Sequence, residues 1–495
     1  MTADRGPAGT TAMSSAGQRR RWIALCVVCA GMTMNVLDQT IVNVALPTIQ
    51  RDLHFTPVDL SWVVDAYLIT FGGLLLLAGR LGDLVGRKKV FLGGVAFFTL
   101  SSAFCGLASS QAMLIAARFV QGAGAAFSAS VVLAIIVGEF PLAAERAKAM
   151  SIYILVAVGG GSLGLLAGGL LTQVLSWHWI FIINIPIGIA TFAAGVVLLD
   201  ENEGLGIRAG LDVAGAVLST AGLMLAIYAI VTSDTYGWVS LHTLGFAVAG
   251  CAALASFFAV EARVATPMMP LRVLRSRGLG SASTARMLMV VGMFGTFFLG
   301  VLFLQHVLRF GPLQAGVAFL PQTLTVAVMS TGPTRRLMRI MGAKPSAMAG
   351  MVCLFGGLLL FSLVTPHTAY FPQLFFALLC TGVGSAMAFT ALLTIGVAEI
   401  PAADAGLGSG VVNVSQQFAA AIAVAVLSVV ATNRTETLLR HGGPAAPALT
   451  AGYRLGFVVA LCCVAAGALV TAVVVPGLRT SEQADLAPVV ESVDI

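Results

Sequence analysis

Three ionisable side chains lie inside long apolar runs of this sequence. Asp38 interrupts the stretch NVLDQTIVNVALP (residues 35–47), Asp65 lies in the next apolar run, and Arg118 lies in the fourth. A charge facing lipid at such a depth costs several kcal/mol, so we expect all three side chains to face a protein interior. Two acids and one base leave a formal charge of −1, which suits the binding of a proton or a positively charged substrate.

The composition indicates what surrounds these charges. Of the 495 residues, 58% are hydrophobic and 10% are charged, and the mean hydropathy is +0.96. Soluble domains carry about 25% charged residues, so we expect an all-α integral membrane protein. Helices rather than a β-barrel follow from continuous apolar runs without two-residue alternation. The net charge of +6 sits in short basic clusters between those runs, which excludes nucleic acid as a partner and fits the lipid head groups of a membrane.

The lengths of the apolar runs predict fourteen transmembrane helices, because one span needs about 20 residues. We place them near residues 22–46, 59–79, 90–109, 112–137, 149–172, 178–199, 212–232, 241–261, 279–305, 312–332, 345–364, 371–396, 407–430 and 453–475. Most of the 27 basic residues then fall in the tails and loops of one side. The positive-inside rule makes that side cytoplasmic, with both termini inside. The Ala- and Gly-rich composition suggests a bacterial cytoplasmic membrane.

An internal repeat is visible in two basic loops. GRLGDLVGRKK (residues 79–89) follows the second span, and RRLMRIMGAK (residues 335–344) follows the tenth. Repeated halves are common in transporters. We therefore predict a cytoplasmic tail (1–21), a six-helix bundle (22–199), two inserted spans with cytoplasmic linkers (200–278), a second six-helix bundle (279–475) and a cytoplasmic tail (476–495).

Five motifs in order resemble those of a known family. They are LDQTIVNVALP (37–47), GRLGDLVGRKK (79–89), RFVQGAG (118–124), GLLAGG (164–169) and WIFIINIPIG (179–188). The chain resembles the fourteen-span drug:proton antiporters of the major facilitator superfamily over roughly residues 22–475. One departure lies in the fifth span, where Leu165 stands at the place of a proline that kinks the helix in the family pattern.

The resemblance implies proton-coupled efflux of amphipathic small molecules by alternating access between two bundles. It also implies that the first basic loop latches the bundles in the outward-facing state, through Gly79, Asp83, Gly86, Arg87 and Lys88. The antiporter-motif helix is expected to slide on its neighbours through the smooth face of Gly160, Gly164, Gly168 and Gly169.

Counting residues from the predicted span ends places Asp38, Asp65 and Arg118 at a similar depth, roughly 9–12 Å from the outer surface at about 1.5 Å per residue. We expect one of the two acids to carry the coupling proton, with Asp38 preferred over Asp65. A purely structural pairing of Asp38 with Arg118 is the alternative. Further polar candidates for the cavity are Asn43, Gln305, Asn413, Gln417 and Arg286.

The sequence contains no phosphate loop, metal-ligand spacing or nucleophile motif, so we expect no enzyme, no metal and no cofactor other than the proton. Expected partners are membrane lipids and drug-like substrates, cationic or neutral and amphipathic, bound by a monomer. A proton-coupled solute importer and a lipid exporter or flippase remain as alternatives, which an ionophore-controlled transport assay separates.

Overall fold

The computed structural model describes residues 15–140, 142–201, 204, 206, 212–264, 277–398 and 405–476, and these form helices without a strand. The first bundle region contains α1 (Ser15–Asp52), α2 (Trp62–Val85), α3 (Arg87–Gly106), α4 (Gln111–Ser130), α5 (Val132–Glu139), α6 (Ala143–Val174), α7 (Trp179–Ile182) and α8 (Asn184–Leu198). Two further helices follow, α9 (Val213–Tyr236) and α10 (Leu241–Glu261).

The second bundle region contains α11 (Arg277–His306), α12 (Pro312–Ala318), α13 (Leu320–Thr331), α14 (Pro333–Met341), α15 (Ala343–Ser362), α16 (Phe375–Ala398), α17 (Ala405–Arg440) and α18 (Ala445–Val473). A short helical turn at Tyr370–Leu374 precedes α16. The side-chain surroundings of residues 157–163 in α6 and 405–414 in α17 are outside the described part of the molecule.

Eleven helices in the described ranges are long and apolar enough to cross a membrane, or twelve when the bent segment Asp59–Val85 counts as one span. The predicted fifth and seventh spans coincide with α6 and α9, in which the apolar stretches found are shorter, Gly164–Val174 and Val217–Ile230. The chain is therefore a multi-pass all-α membrane protein, and the count of fourteen stays a prediction. The first helix also continues past its predicted end at residue 46, through Pro47 to Asp52.

The two bundle regions repeat one packing scheme. In the first, α1 packs against α6 and α8, and α4 packs against α2 and α3. In the second, α11 packs against α17 and α18, and α16 packs against α13 and α15. The repeat extends to single residues: a Cβ on Gly94 or Gly124 would meet the backbone across the α3–α4 crossing, and Gly350 and Gly384 are equally tight across α15–α16. Close crossings of this kind depend on small residues.

The short loops of the two repeats also correspond. Gly86, between α2 and α3, has φ of 112°, and Gly342, between α14 and α15, has φ of 92°. Side chains rarely adopt this conformation, so glycine allows the sharp reversal in both basic loops. We call the end of the molecule that carries these loops the Arg87 face, and the opposite end the Pro57 face.

The helices α9 and α10 pack against each other, and α9 also contacts α2 of the first bundle and α17 of the second. The apolar side chains of α10 are largely exposed, Leu244 and Val248 among them. This helix pair therefore lies at the periphery, where an exposed apolar surface is suited to lipid. The domain boundaries around this pair stay predictions.

Candidate functional site

Asp38 of α1 and Arg118 of α4 meet in the interior of the first bundle. Arg118 Nη1 lies 2.5 Å from Asp38 Oδ2, and the two side chains are 1% and 0% exposed. In such an environment a charge needs a countercharge and hydrogen bonds for its remaining polar atoms. The motif residues at 38 and 118 are therefore brought together as an ion pair, although they are far apart in the sequence.

Three polar side chains that the sequence reasoning did not select complete this ion-pair network. Gln121 donates to Asp38 Oδ1 at 2.8 Å and accepts from Arg118 Nη1 at 2.6 Å. Asn184 of α8 donates to the same carboxylate oxygen at 3.4 Å, and Ser102 of α3 accepts from both amides at 2.7 and 3.1 Å. Gln121 and Asn184 both lie inside motifs noted above. An amide side chain within an apolar helix was the sequence feature that could have identified them as site residues.

Arg118 has further contacts that hold it in place. Its Nε donates to the carbonyl oxygen of Val63 in α2 at 2.8 Å. Its guanidinium carbon lies 4.5 Å from the ring centroid of Tyr67 and 5.6 Å from that of Phe181. Cations at such distances from ring faces are attracted by the aromatic quadrupole. Through its direct hydrogen bonds the ion pair therefore joins four helices, α1, α2, α4 and α8, and each of its charged groups is compensated.

Asp65 is also fully buried, but it does not join this network. Among the described residues, neither of its carboxylate oxygens has a hydrogen-bond partner of normal geometry, and the nearest interacting polar group is the Ser61 hydroxyl one turn earlier. Asp65 lies seven residues before Gly72, close to two helical turns, so the two share one face of α2. Gly72 packs against Gln417 and Phe418 of α17, and Asp65 therefore lies on the side of α2 that faces the second bundle.

The two bundles contact each other at the Pro57 face. Gln305 of α11 donates to the carbonyl oxygen of Val44 at 2.8 Å, and Ser428 of α17 donates to the carbonyl oxygen of Pro57 at 3.2 Å. A third contact joins Gln173 of α6 to the amide of Leu313 at 3.2 Å. These hydrogen bonds cross between the bundles on the same side as Asp65, so that side of the molecule is closed.

Glycines of α6 fit this closed arrangement. A Cβ at Gly168 would lie 2.7 Å from the carbonyl oxygen of Ile41, and one at Gly164 would lie 2.9 Å from that of Leu37. At Gly169 it would lie 2.7 Å from the carbonyl oxygen of Pro312 in the second bundle. The predicted smooth face thus contacts α1 on both sides of Asp38 and also the other bundle. Gly160 lies in α6, but its surroundings are outside the described residues.

The loop at the Arg87 face has contacts within its own bundle. Asp83 and Arg87 form an exposed ion pair at 3.3 Å, and Arg87 also donates to the carbonyl oxygen of Ala134 at 3.1 Å. Lys88 donates to the carbonyl oxygen of Val196 at 2.9 Å. Gly79 lies near Ser130, and Gly86 forms the turn. The segment 399–404, which precedes α17 in the sequence, is outside the described residues, so the latching role stays a prediction.

The second bundle has one buried charge among the predicted residues. Arg286 of α11 is 3% exposed and donates to Gln416 Oε1 at 2.8 Å. Gln417 is buried against α2, and Gln305 bridges the bundles as described. Asn43 donates to the Gln39 carbonyl oxygen of its own helix at 2.9 Å. The side chain of Asn413 lies outside the described residues.

Comparison with known proteins identifies the family. The model of the Major Facilitator Superfamily matches residues 28–424. The chain belongs to the major facilitator superfamily. Its members are membrane transporters rather than enzymes, and the paired bundles described above are the superfamily's fold.

Two superfamily relatives are similar to the chain over most of their length. A puromycin resistance protein, pur8 of Streptomyces alboniger, is 35% identical over 92% of this chain and 90% of its own. A cephamycin export protein, CmcT of Amycolatopsis lactamdurans, is 36% identical over 88% and 90%. Among solved structures, a POT family peptide transporter covers 91% of this chain and 97% of its own at 15% identity, with a TM-score of 0.65. That likeness concerns the fold alone.

Proposed function

We propose that the protein exports amphipathic antibiotics or related small molecules from a bacterial cell in exchange for protons. Two superfamily relatives that match the chain over 90% of their own length are named as a resistance protein and an export protein. These names support transport in the outward direction. The observation that supports the coupling mechanism is Asp65, a buried acid at the interface between the bundles that has no hydrogen-bond partner of normal geometry among the described residues. The proposed cycle uses a proton as its coupling ion and needs no cofactor.

Asp65 is a better proton carrier than Asp38, which reverses the sequence-based preference. Asp38 is held as a carboxylate by Arg118 and two amide donors, so protonation would break its ion pair. Asp65 has no such compensating group in the described ranges, and a buried carboxyl group without a countercharge is stable in its neutral form. It therefore binds a proton when water reaches it and keeps that proton when the bundles close over it.

The contacts at the Pro57 face control that access to water. We place this face outside the cell and the Arg87 face in the cytoplasm, because the basic loops lie on the latter. Opening the contacts between α2 and α17 exposes Asp65 to the medium, where it loads a proton. Closing them buries the protonated acid, and the proton leaves to the cytoplasm after the cavity opens there. A bound substrate then leaves in the opposite half of the cycle.

The driving force is sufficient for useful export. One pH unit supplies about 1.4 kcal/mol per proton, and a membrane potential of about 100 mV adds about 2.3 kcal/mol for each charge moved inward. Their sum sustains a concentration ratio of roughly several hundredfold when one proton and a neutral substrate exchange.

Loading cells with a fluorescent cationic dye tests this function. Cells that express the protein are expected to lose dye faster than cells with an empty vector, and a proton ionophore is expected to abolish the difference. Accumulation of dye that depends on the proton gradient would instead show an importer. No change in dye, together with an altered distribution of labelled lipid between leaflets, would show a lipid exporter.

A further inference from the structure

Arg286 has no countercharge among the residues that the structure describes. Its guanidinium is 3% exposed, and its one hydrogen bond to a described residue is the one to Gln416. Nε and Nη1 have no hydrogen-bond partner among the described residues, and no carboxylate of that part of the chain pairs with it. In the first bundle, by contrast, Arg118 contacts Asp38 and four further groups. The two arginines that are buried in the described part of the chain therefore have very different surroundings.

Neighbouring side chains offset this charge only in part. The ring centroid of Phe389 in α16 lies 3.7 Å from the guanidinium carbon of Arg286, close enough for a cation–π interaction. A neutral amide and one ring do not replace an anion, and a buried cation normally requires one. Within the described part of the chain, Arg286 is therefore one half of an ion pair.

The position of Arg286 makes it accessible to a molecule between the bundles. Gln416, which contacts it, is followed by Gln417, whose Cβ packs against Gly72 of the first bundle. Both Gln416 and Phe389 are half-buried, so the guanidinium lies one side-chain layer behind an accessible surface.

The depth of Arg286 within the membrane limits which anions can reach and bind its guanidinium. It lies nine residues after the first residue of α11, about 14 Å from that end of the helix. A phospholipid phosphate stays at the head-group level and does not reach this depth. A carboxylate on an amphipathic substrate does, and carboxylates match the guanidinium fork with two parallel hydrogen bonds.

We propose that Arg286 binds a carboxylate of the exported molecule, so that the transporter prefers amphipathic carboxylic acids over the corresponding esters. The proposal rests on the proposed export function, and it names the substrate class. Of the buried charges selected from the sequence, Asp65 and Arg286 then remain for function after Asp38 and Arg118 neutralise each other. Asp65 holds the proton on one bundle, and Arg286 holds the substrate anion on the other.

Rhodamine B and its ethyl ester form a matched pair for the test, because both carry the same cationic ring system and only the acid has a carboxylate. Binding is measured by fluorescence anisotropy with the purified full-length protein in phosphatidylcholine nanodiscs, which contain no anionic lipid. Efflux of both dyes is measured in parallel from cells. The variants are Arg286→Gln, Arg286→Lys and, as control, Arg309→Gln, which removes an exposed arginine.

Wild type and Arg309→Gln are expected to bind the acid about tenfold or more tightly than the ester, as a charge-assisted hydrogen bond predicts. Arg286→Gln is expected to bind both dyes equally, and Arg286→Lys to recover part of the preference. Equal affinities in the wild type, an unchanged preference in Arg286→Gln, or no binding of either dye would overturn the proposal. Equal efflux of both dyes by wild type and Arg286→Gln would overturn it while leaving the export function intact, whereas absence of all efflux would contradict that function itself.

Discussion

Asp38 Oδ2 and Arg118 Nη1 are 2.5 Å apart in the interior of the first bundle, whereas Asp65, at a similar level of the neighbouring helix, has no countercharge among the described residues. This difference assigns a structural role to one acid and a proton-carrying role to the other, whereas the sequence alone leaves both roles open for Asp38. The paired acid holds α1, α2, α4 and α8 together, and the unpaired acid is available for a proton. The predictions below follow from that separation.

Replacing Asp38 with asparagine is expected to destabilise the protein. The substitution leaves Arg118 buried without its countercharge, and breaking such a pair costs about 3–5 kcal/mol. We expect a clearly lower Tm for Asp38→Asn than for wild type in the same detergent. Asp83→Asn is the matched control, because its ion pair with Arg87 is exposed and is worth about 0–1 kcal/mol. Equal Tm values for Asp38→Asn and wild type would argue against a structural ion pair.

Replacing Asp65 with asparagine is expected to leave stability unchanged or slightly higher. The carboxyl group has no normal hydrogen bond to lose among the described residues, and a neutral amide of nearly the same size takes its place. The Tm of Asp65→Asn is therefore predicted to be at least that of wild type. A drop comparable with that of Asp38→Asn would mean that Asp65 has a structural partner.

A larger residue at Gly169 is expected to prevent closure at the Pro57 face. A Cβ there would lie 2.7 Å from the backbone oxygen of Pro312 and 2.8 Å from the Leu313 Cα, so Gly169→Val excludes the contact between α6 and α12. We expect faster labelling of a Ser428→Cys reporter by a membrane-impermeant maleimide, in a background without the native cysteines. Gly245→Val is the control, since a Cβ at Gly245 meets no atom within 4 Å. Equal labelling rates in the two variants would contradict this assignment of the closed face.

A crosslink at the same face is expected to stop transport. The carbonyl of Val44 and the side chain of Gln305 are in direct contact across the bundles, so the pair Val44→Cys and Gln305→Cys can be joined by a short bifunctional maleimide. Dye efflux should fall to the level of the empty vector after crosslinking, and each single variant treated in the same way should keep its activity. Continued efflux by the crosslinked protein would show that this face need not open.

The sequence predicts the fold well because the lipid environment restricts the choices. Apolar run length predicts an all-α membrane protein and most of its long helices, although the count of fourteen spans stays a prediction. The basic loops reveal the repeat that α1–α8 and α11–α18 show in their packing. The end of α1 was misplaced, because Pro47 looks like a terminus although it is accommodated within a continuous helix. A proline inside a membrane helix is tolerated when neighbouring groups satisfy the freed backbone.

The side-chain contacts of the site are harder to predict from the sequence than the fold is. Spacing suggests that Asp38, Asp65 and Arg118 share a layer, but it does not show which way each side chain points around its helix. Asp65 and Tyr67 differ by two residues, about 200° around the axis, and this angle directs the Tyr67 ring toward Arg118 and Asp65 toward the other bundle. The absence of a carboxylate beside Arg286 among the described residues depends on which helices pack around it, and only the tertiary structure shows this.

The most direct test of the central claim, that Asp65 carries the coupling proton, is proton movement in proteoliposomes with a pH-sensitive dye inside. Wild type and the control Asp59→Asn, which alters a half-buried acid six residues earlier, are predicted to move protons when a transported rhodamine dye is added to one side. Asp65→Asn is predicted to exchange labelled for unlabelled rhodamine dye without moving protons. Proton movement by Asp65→Asn equal to that of wild type would contradict the assignment.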